Sequence, residues 1–114
     1  MEVVNVKVKY IRPKYHNLKE WTEDPDNIYI GRNGIVFIDG KRFPPVSSKW
    51  ANPYKLKTLS REESLELYET YIREKISENP EFYNLQELKG KKLGCWCYPE
   101  KCHGAVLIKI LEEL

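Results

Sequence analysis

Val4, Val6 and Val8 alternate with Asn5, Lys7 and Lys9, and this period of two predicts a β-strand over residues 3–9. Residues 11–27 are polar and carry Pro13, Pro25 and the run Asp24-Pro25-Asp26-Asn27, which predicts a loop. Ile28-Tyr29-Ile30 predicts a short strand ending at Gly31-Arg32. Ile35-Val36-Phe37-Ile38 and Lys41-Arg42-Phe43 flank Asp39-Gly40, a dipeptide suited to the positive φ angles of a tight primed turn. The segment therefore predicts a hairpin, ended by Pro44-Pro45.

The period then changes. Ser60-Arg61-Glu62-Glu63 is a capping box, in which the Ser60 hydroxyl accepts an orphan backbone N–H and Glu63 reaches back. Leu65, Tyr68, Ile72 and Ile76 follow as a helical stripe that Asn79-Pro80 stops. Residues 81–88 predict a shorter helix closed by Gly90, residues 92–97 a strand, and residues 102–114 a last helix. That helix is apolar at Val106, Leu107, Ile108, Ile110 and Leu111, which implies burial on more than one side, in the domain centre or at a homodimer contact. Strands separated by helical crossovers imply an α/β fold in one domain, 1–114. The expected architecture is a small, mainly parallel sheet packed by helices, with 3–9 and 92–97 as neighbouring parallel strands and the hairpin inserted at an edge.

With 41% apolar and 32% charged residues, the composition excludes a disordered chain. No apolar run approaches the roughly 20 residues of a membrane span. The strand-like N-terminus does not read as a signal peptide, so the expected location is intracellular (host cytoplasm for a viral protein), with no membrane partner. Net charge is only +2, yet residues 1–57 hold eleven Lys and Arg against six Asp and Glu, whereas residues 58–114 hold eight against eleven. The densest basic stretch runs from Arg32 to Lys57, with Phe43, Trp50 and Tyr54 among its charges. Such a stretch reads either as a solvated face or as a surface for phosphate, nucleotide or nucleic acid.

All three cysteines and one of the two histidines fall between Cys95 and His103. Cys95 and Cys97 share one side of the predicted strand, while Cys102 and His103 begin the last helix. Unpaired N–H groups and the positive helix end there favour a Cys102 thiolate or a bound anion. Three readings stand open. Zinc held by Cys95, Cys97, Cys102 and His103 has the right ligand types, but C-x-C-x4-C-H is an unusual spacing. A catalytic or substrate-contacting Cys102 and His103 would need no metal or cofactor. Buried structural cysteines with a packing or capping His103 complete the set. An odd cysteine count argues against a secreted disulfide framework, although in a hyperthermophile Cys97 and Cys102 would be a candidate pair.

Four segments together resemble a family of small uncharacterised domains found in phages, archaeal viruses, bacteria and archaea. They are Tyr29-Ile30-Gly31-Arg32, Ser48-Lys49-Trp50-Ala51-Asn52-Pro53-Tyr54, Arg61-Glu62-Glu63, and Leu93 to Gly104 with its C-W-C-x-P-x-x-C-H-G pattern. The overall look is similar to proteins of rod-shaped viruses of hot-spring archaea. Residues 33–47 interrupt the usual run from Y-I-G-R into S-K-W, and Ala51 stands where the pattern has glycine, so a positive φ there would be strained. A more distant likeness, to a group with L-C-A-E at a strand end and C-H-R at a helix start, implies the same strand–site–helix placement. The resemblance implies no particular activity.

Strand ends at 31 and 97 point the same way if the strands are parallel, so Gly31-Arg32, Lys49 to Pro53 and Cys95 to His103 are expected to converge on one cleft. There Arg32 and Lys49 would neutralise a phosphate, Trp50 or Trp96 would stack, Asn52 would read a base or ribose edge, and Cys97, Cys102 and His103 would face the ligand. The expected function is a nucleotide- or nucleic-acid-binding α/β module, catalytic if Cys102 or His103 reacts. The alternative is a non-enzymatic viral interaction protein stabilised by zinc or by homodimerisation through the last helix.

Overall fold

The computed structural model describes residues 2–97 and 100–114. The elements in chain order are β1 (Glu2–Asn5), α1 (Val8–Ile11), α2 (Leu18–Glu23), β2 (Asn27–Tyr29), β3 (Val36–Ile38), β4 (Lys41–Phe43), α3 (Arg61–Glu78), a 3-10 turn (Leu85–Leu88), β5 (Lys92–Cys95) and α4 (His103–Glu112). The main sheet has the order β1-β5-β2 and is parallel throughout, with Val4 opposite Gly94 and Tyr29 opposite Gly94. The α/β architecture and the β1–β5 pairing therefore match the sequence reading.

Alternation along β5 sorts the interior into two halves. Leu93 and Cys95 enter a cluster with Ile30, Trp50, Tyr68, Ile72 and Leu107 under α3 and α4. The opposite face is covered by Val6, Ile11, Leu18 and Trp21, with Val36, Ile38, Phe43 and Trp96 packed against them. Burial on both faces explains why the strands carry apolar residues at successive positions. The last helix is likewise enclosed. Val106, Leu107 and Ile110 are buried within this chain, while Ala105, Lys109 and Glu112 face outward. Much of its apolar content is thus accounted for by intrachain packing.

Local hydrogen bonds explain where elements differ from expectation. The first strand stops at Asn5, not at residue 9, because the Asn5 side chain accepts the Lys7 N–H at 2.9 Å and turns the chain into α1. Within the expected loop, Asn17 caps α2 by accepting the Glu20 N–H, and Glu20 accepts the His16 N–H. The sequence carried that signal as Asn-x-x-Glu before Leu18 and Trp21. The expected helix at 81–88 contracts to the 3-10 turn, since Asn79 and Asn84 bind the backbone N–H groups of Phe82 and Gln86. The capping box at Ser60 and Glu63 forms as expected.

The hairpin forms with Asp39 and Gly40 at positive φ, but as a separate two-stranded sheet against the second cluster, not as an extension of the main sheet. Ala51 is unstrained, since Asp39 is the one non-glycine with positive φ among the described residues. Ser48 N–H donates to the Gly31 carbonyl at 3.1 Å, so the chain closes on itself where the 33–47 insertion begins and ends. Replacing 33–47 with a Gly-Gly link is therefore expected to leave a cooperatively unfolding protein of reduced stability. Loss of cooperative unfolding in urea would show that the hairpin belongs to the central core.

Gly94 lies where α2 meets the sheet. A Cβ there would overlap the Trp21 ring and come within 2.7 Å of Val6. Gly94→Ala is expected to cost about 1–3 kcal/mol, as overpacking of a filled core does. Urea denaturation checks this, and unchanged stability would mean that Trp21 is not tightly seated.

Candidate functional site

The carboxyl ends of β2 and β5 open on a cleft of about 250 Å³. Its walls come from Gly31 and Arg32 after β2, Asn52 and Tyr54 in the following loop, and Arg61 and Ser64 in α3. Cys95 to Cys97 at the end of β5 and Lys101 to His103 at the start of α4 complete it. Open parallel sheets place ligand sites at such strand ends. Tyr98 and Pro99, which follow Cys97 in the sequence, lie outside the described residues.

Local bonds fix each wall. The Tyr29 ring folds back over Gly31, where any Cβ would overlap it. Its hydroxyl donates to the Arg32 carbonyl at 2.7 Å and accepts from Trp96 Nε1 at 2.8 Å, which holds the indole at the cleft. Arg32 donates through Nε and Nη2 to the Asn52 carbonyl, at 2.9 and 2.7 Å. Arg61 Nη1 donates to the Lys101 carbonyl at 2.8 Å, joining the starts of α3 and α4. Among the described residues, no carboxylate lines the cleft, and Arg32, Arg61 and Lys101 make no ion pair.

Arg61 and Lys101 escaped the sequence reading as site residues, although both lie in the conspicuous motifs. A signal was present. Each is a cation at the start of a helix, the end where the dipole disfavours positive charge.

Cys102 caps α4 through its sulfur, which accepts the Gly104 N–H at 3.4 Å. This is the expected helix-start contact, but the expected thiolate does not follow. The Cys95 sulfur, 3.1 Å away, and burial push the Cys102 thiol well above its ordinary pKa, and the Gly104 N–H offsets this only in part. The His103 ring is engaged elsewhere. The imidazole meets the Ile30 carbonyl through Nε2 at 2.6 Å and packs edge-on to Tyr68. A carbonyl only accepts, so Nε2 carries the proton and Nδ1 does not. Burial lowers the His103 pKa to about 4, against a smaller upward pull from Ile30.

Other expected ligand contacts are placed elsewhere. Lys49 pairs with Glu87, donates to the Phe82 carbonyl and lies over the Trp50 ring, away from the cleft. Trp50 is core, 1% exposed, and its carbonyl accepts the Tyr68 hydroxyl. Neither residue, expected as a ligand contact, is among those that line the cleft. Asn52 does line the cleft, but its amide is engaged. Nδ2 donates to Ser64 Oγ and Oδ1 accepts the Tyr54 N–H, so in this structure the amide expected to read a base edge shapes the loop. The zinc arrangement is not assembled either: among the described residues, no group of three or more His, Cys, Asp or Glu is placed to hold a metal.

Comparison with known proteins places these features in a family. The model of a domain of unknown function (DUF4326) matches residues 14–113. Uncharacterized protein R718 of Acanthamoeba polyphaga mimivirus is 35% identical over 94 residues, covering 75% of this chain and 67% of that protein. The uncharacterized 12.4 kDa protein in the nrdA-td intergenic region of Enterobacteria phage T4 is 35% identical over 66 residues, covering 57% of this chain and 61% of its own length. No solved structure gives a significant match. No helix among the described residues is long and apolar enough to cross a membrane.

The depressed His103 pKa fixes a pH dependence. The unfolded chain takes up the His103 proton near its ordinary value of 6.5, whereas the folded protein resists it down to about 4. Between those values the unfolded state binds more protons, so stability falls as pH falls from about 6.5 towards 4, by up to roughly 3 kcal/mol. Above 6.5 the effect is absent. Urea denaturation from pH 7 to pH 5 should show this slope in the native protein and lose it in His103→Gln. A slope that persists in the variant would assign it to another group.

Proposed function

The chain belongs to the DUF4326 family, and we propose that its cleft binds a phosphate-bearing ligand of nucleotide size. The observation that carries this reading is electrostatic. Arg32, Arg61 and Lys101 border one cleft that no carboxylate lines among the described residues. Three cations at one concavity favour an anion, and two guanidinium groups suit the geometry of phosphate oxygens. The start of α4 adds its dipole in the same sense.

The remaining walls favour a nucleotide over a bare anion. Tyr54 and Trp96 offer aromatic surface, and Ile35, Leu56 and Leu65 add apolar surface. Bases stack on such rings without demanding a particular sequence. A volume of about 250 Å³ suits one nucleotide or a strand end more than a duplex. Cys102 and His103 enter this reading as neutral parts of the wall. Burial and the neighbouring thiol disfavour a Cys102 thiolate, and His103 Nε2 is engaged with the Ile30 carbonyl.

Calorimetric titration with nucleoside mono-, di- and triphosphates, at low and high salt, tests the reading. Saturable binding that weakens with salt and is competed by pyrophosphate is expected. Arg61→Ala and Lys101→Ala should each weaken it about tenfold or more, the value of a charge-assisted hydrogen bond. Lys49→Ala should leave it unchanged. Equal affinity for the unphosphorylated nucleoside, or no salt-sensitive binding to any nucleotide or short oligonucleotide, would overturn it.

A further inference from the structure

We propose that Cys95 and Cys102 form a reversible disulfide across the floor of the cleft. The two sulfurs, seven residues apart in sequence, lie 3.1 Å from one another, and all three cysteines are thiols in this structure. A disulfide needs the sulfurs at about 2.05 Å, roughly 1 Å closer than here. Cys95 ends β5 and Cys102 is the N-cap of α4, so both side chains are aimed by regular elements. Cys97 makes no such approach; it lies on the same wall, half-buried. This pairing differs from the Cys97–Cys102 pair that the sequence alone suggests.

The chemistry needs a two-electron oxidant, and a low-molecular-weight disulfide supplies it. One protein thiol loses its proton and attacks a sulfur of that disulfide, forming a mixed disulfide and releasing one small thiolate. The second protein thiol then loses its proton and attacks the first protein sulfur, expelling the other small thiolate. Two S–H bonds of the protein become one S–S bond, and the small disulfide is reduced to two thiols. The closed loop is short, which limits the stability that the bond can add and leaves it open to reduction. The bond would tie the start of α4 covalently to the end of β5, the two elements that bring Lys101 and Trp96 to the cleft. This inference rests on sulfur geometry and stands independently of the anion reading.

The test equilibrates the native protein with hydroxyethyl disulfide and mercaptoethanol, followed by acid quenching, alkylation and peptide mass mapping. The expected product is a monomer lighter by two hydrogens, with Cys95 joined to Cys102, Cys97 alkylated, and full reversal by dithiothreitol. Cys97→Ser should form the same bond, and Cys95→Ala should not. Cys102→Ala removes a helix cap, so the native map and Cys97→Ser decide the matter even where that variant fails to fold. A bond that includes Cys97, a lasting adduct on Cys97 alone, a disulfide-linked dimer, or three alkylated thiols at every ratio would each overturn the proposal.

Discussion

The hydrogen bond from His103 Nε2 to the Ile30 carbonyl, 2.6 Å long, holds the first turn of α4 over the carboxyl end of β2. It is a buried bond between residues 73 positions apart, and β5, which precedes α4, lies between β1 and β2. The helix start is pinned on its other side by close approach. A Cβ at Gly104 would come within 2.7 Å of Val3, so only glycine lets α4 approach β1 this closely. The two contacts fix where Lys101, Cys102 and His103 stand relative to Gly31 and Arg32. Without them, the residues that border the cleft would belong to unrelated surface segments.

Backbone carbonyls, not carboxylates, orient the cations of that cleft. Arg32 is held by the Asn52 carbonyl, and Arg61 by that of Lys101. A carbonyl accepts the hydrogen bond without cancelling the charge. The Asn52 carbonyl is itself fixed, because the Asn52 amide is held by Ser64 and by the Tyr54 N–H, and Ser64 Oγ donates to the Tyr54 carbonyl. Of the surface cations elsewhere, Lys49, Arg73 and Lys109 each meet a glutamate, whereas Arg12 and Arg42 also donate to backbone carbonyls, those of His16 and Gly34.

Periodicity made much of the fold legible. Strand ends at 31 and 97, read as parallel, anticipate that Arg32 and the Cys95–His103 segment meet. The misjudged segments share one cause: short polar side chains binding nearby backbone. Asn5 ends a strand that the valine pattern would continue, Asn17 starts a helix inside a polar stretch, and Asn79 and Asn84 reduce a helix to one turn. At the site, the dense basic run from Arg32 to Lys57 is only partly brought to the cleft: Arg32 lines it, but charge in sequence says nothing about partners in space. Lys49 is neutralised by Glu87, 38 positions away, and Arg42 lies over the Phe37 ring. Arg61 and Lys101 were quieter in sequence and better placed.

The state of Cys102 follows from comparing two effects at one atom. A helix start stabilises an adjacent negative charge by about 0.3–1 kcal/mol, less than one pKa unit. Burial can shift an ionisable group by as much as 3–5 units in the opposite direction. Cys102 is 4% exposed and lies against a second thiol, so burial and its neighbour prevail over the dipole. At His103 burial prevails likewise: the ring stays neutral although the Ile30 carbonyl accepts its Nε2–H hydrogen bond, which favours the charged form. Cys102 and His103 thus stay neutral at neutral pH, and the charge at the cleft comes from the Arg32, Arg61 and Lys101 side chains. On the proposed reading, it is this cationic border, not the Cys102 thiol, that would hold the anion.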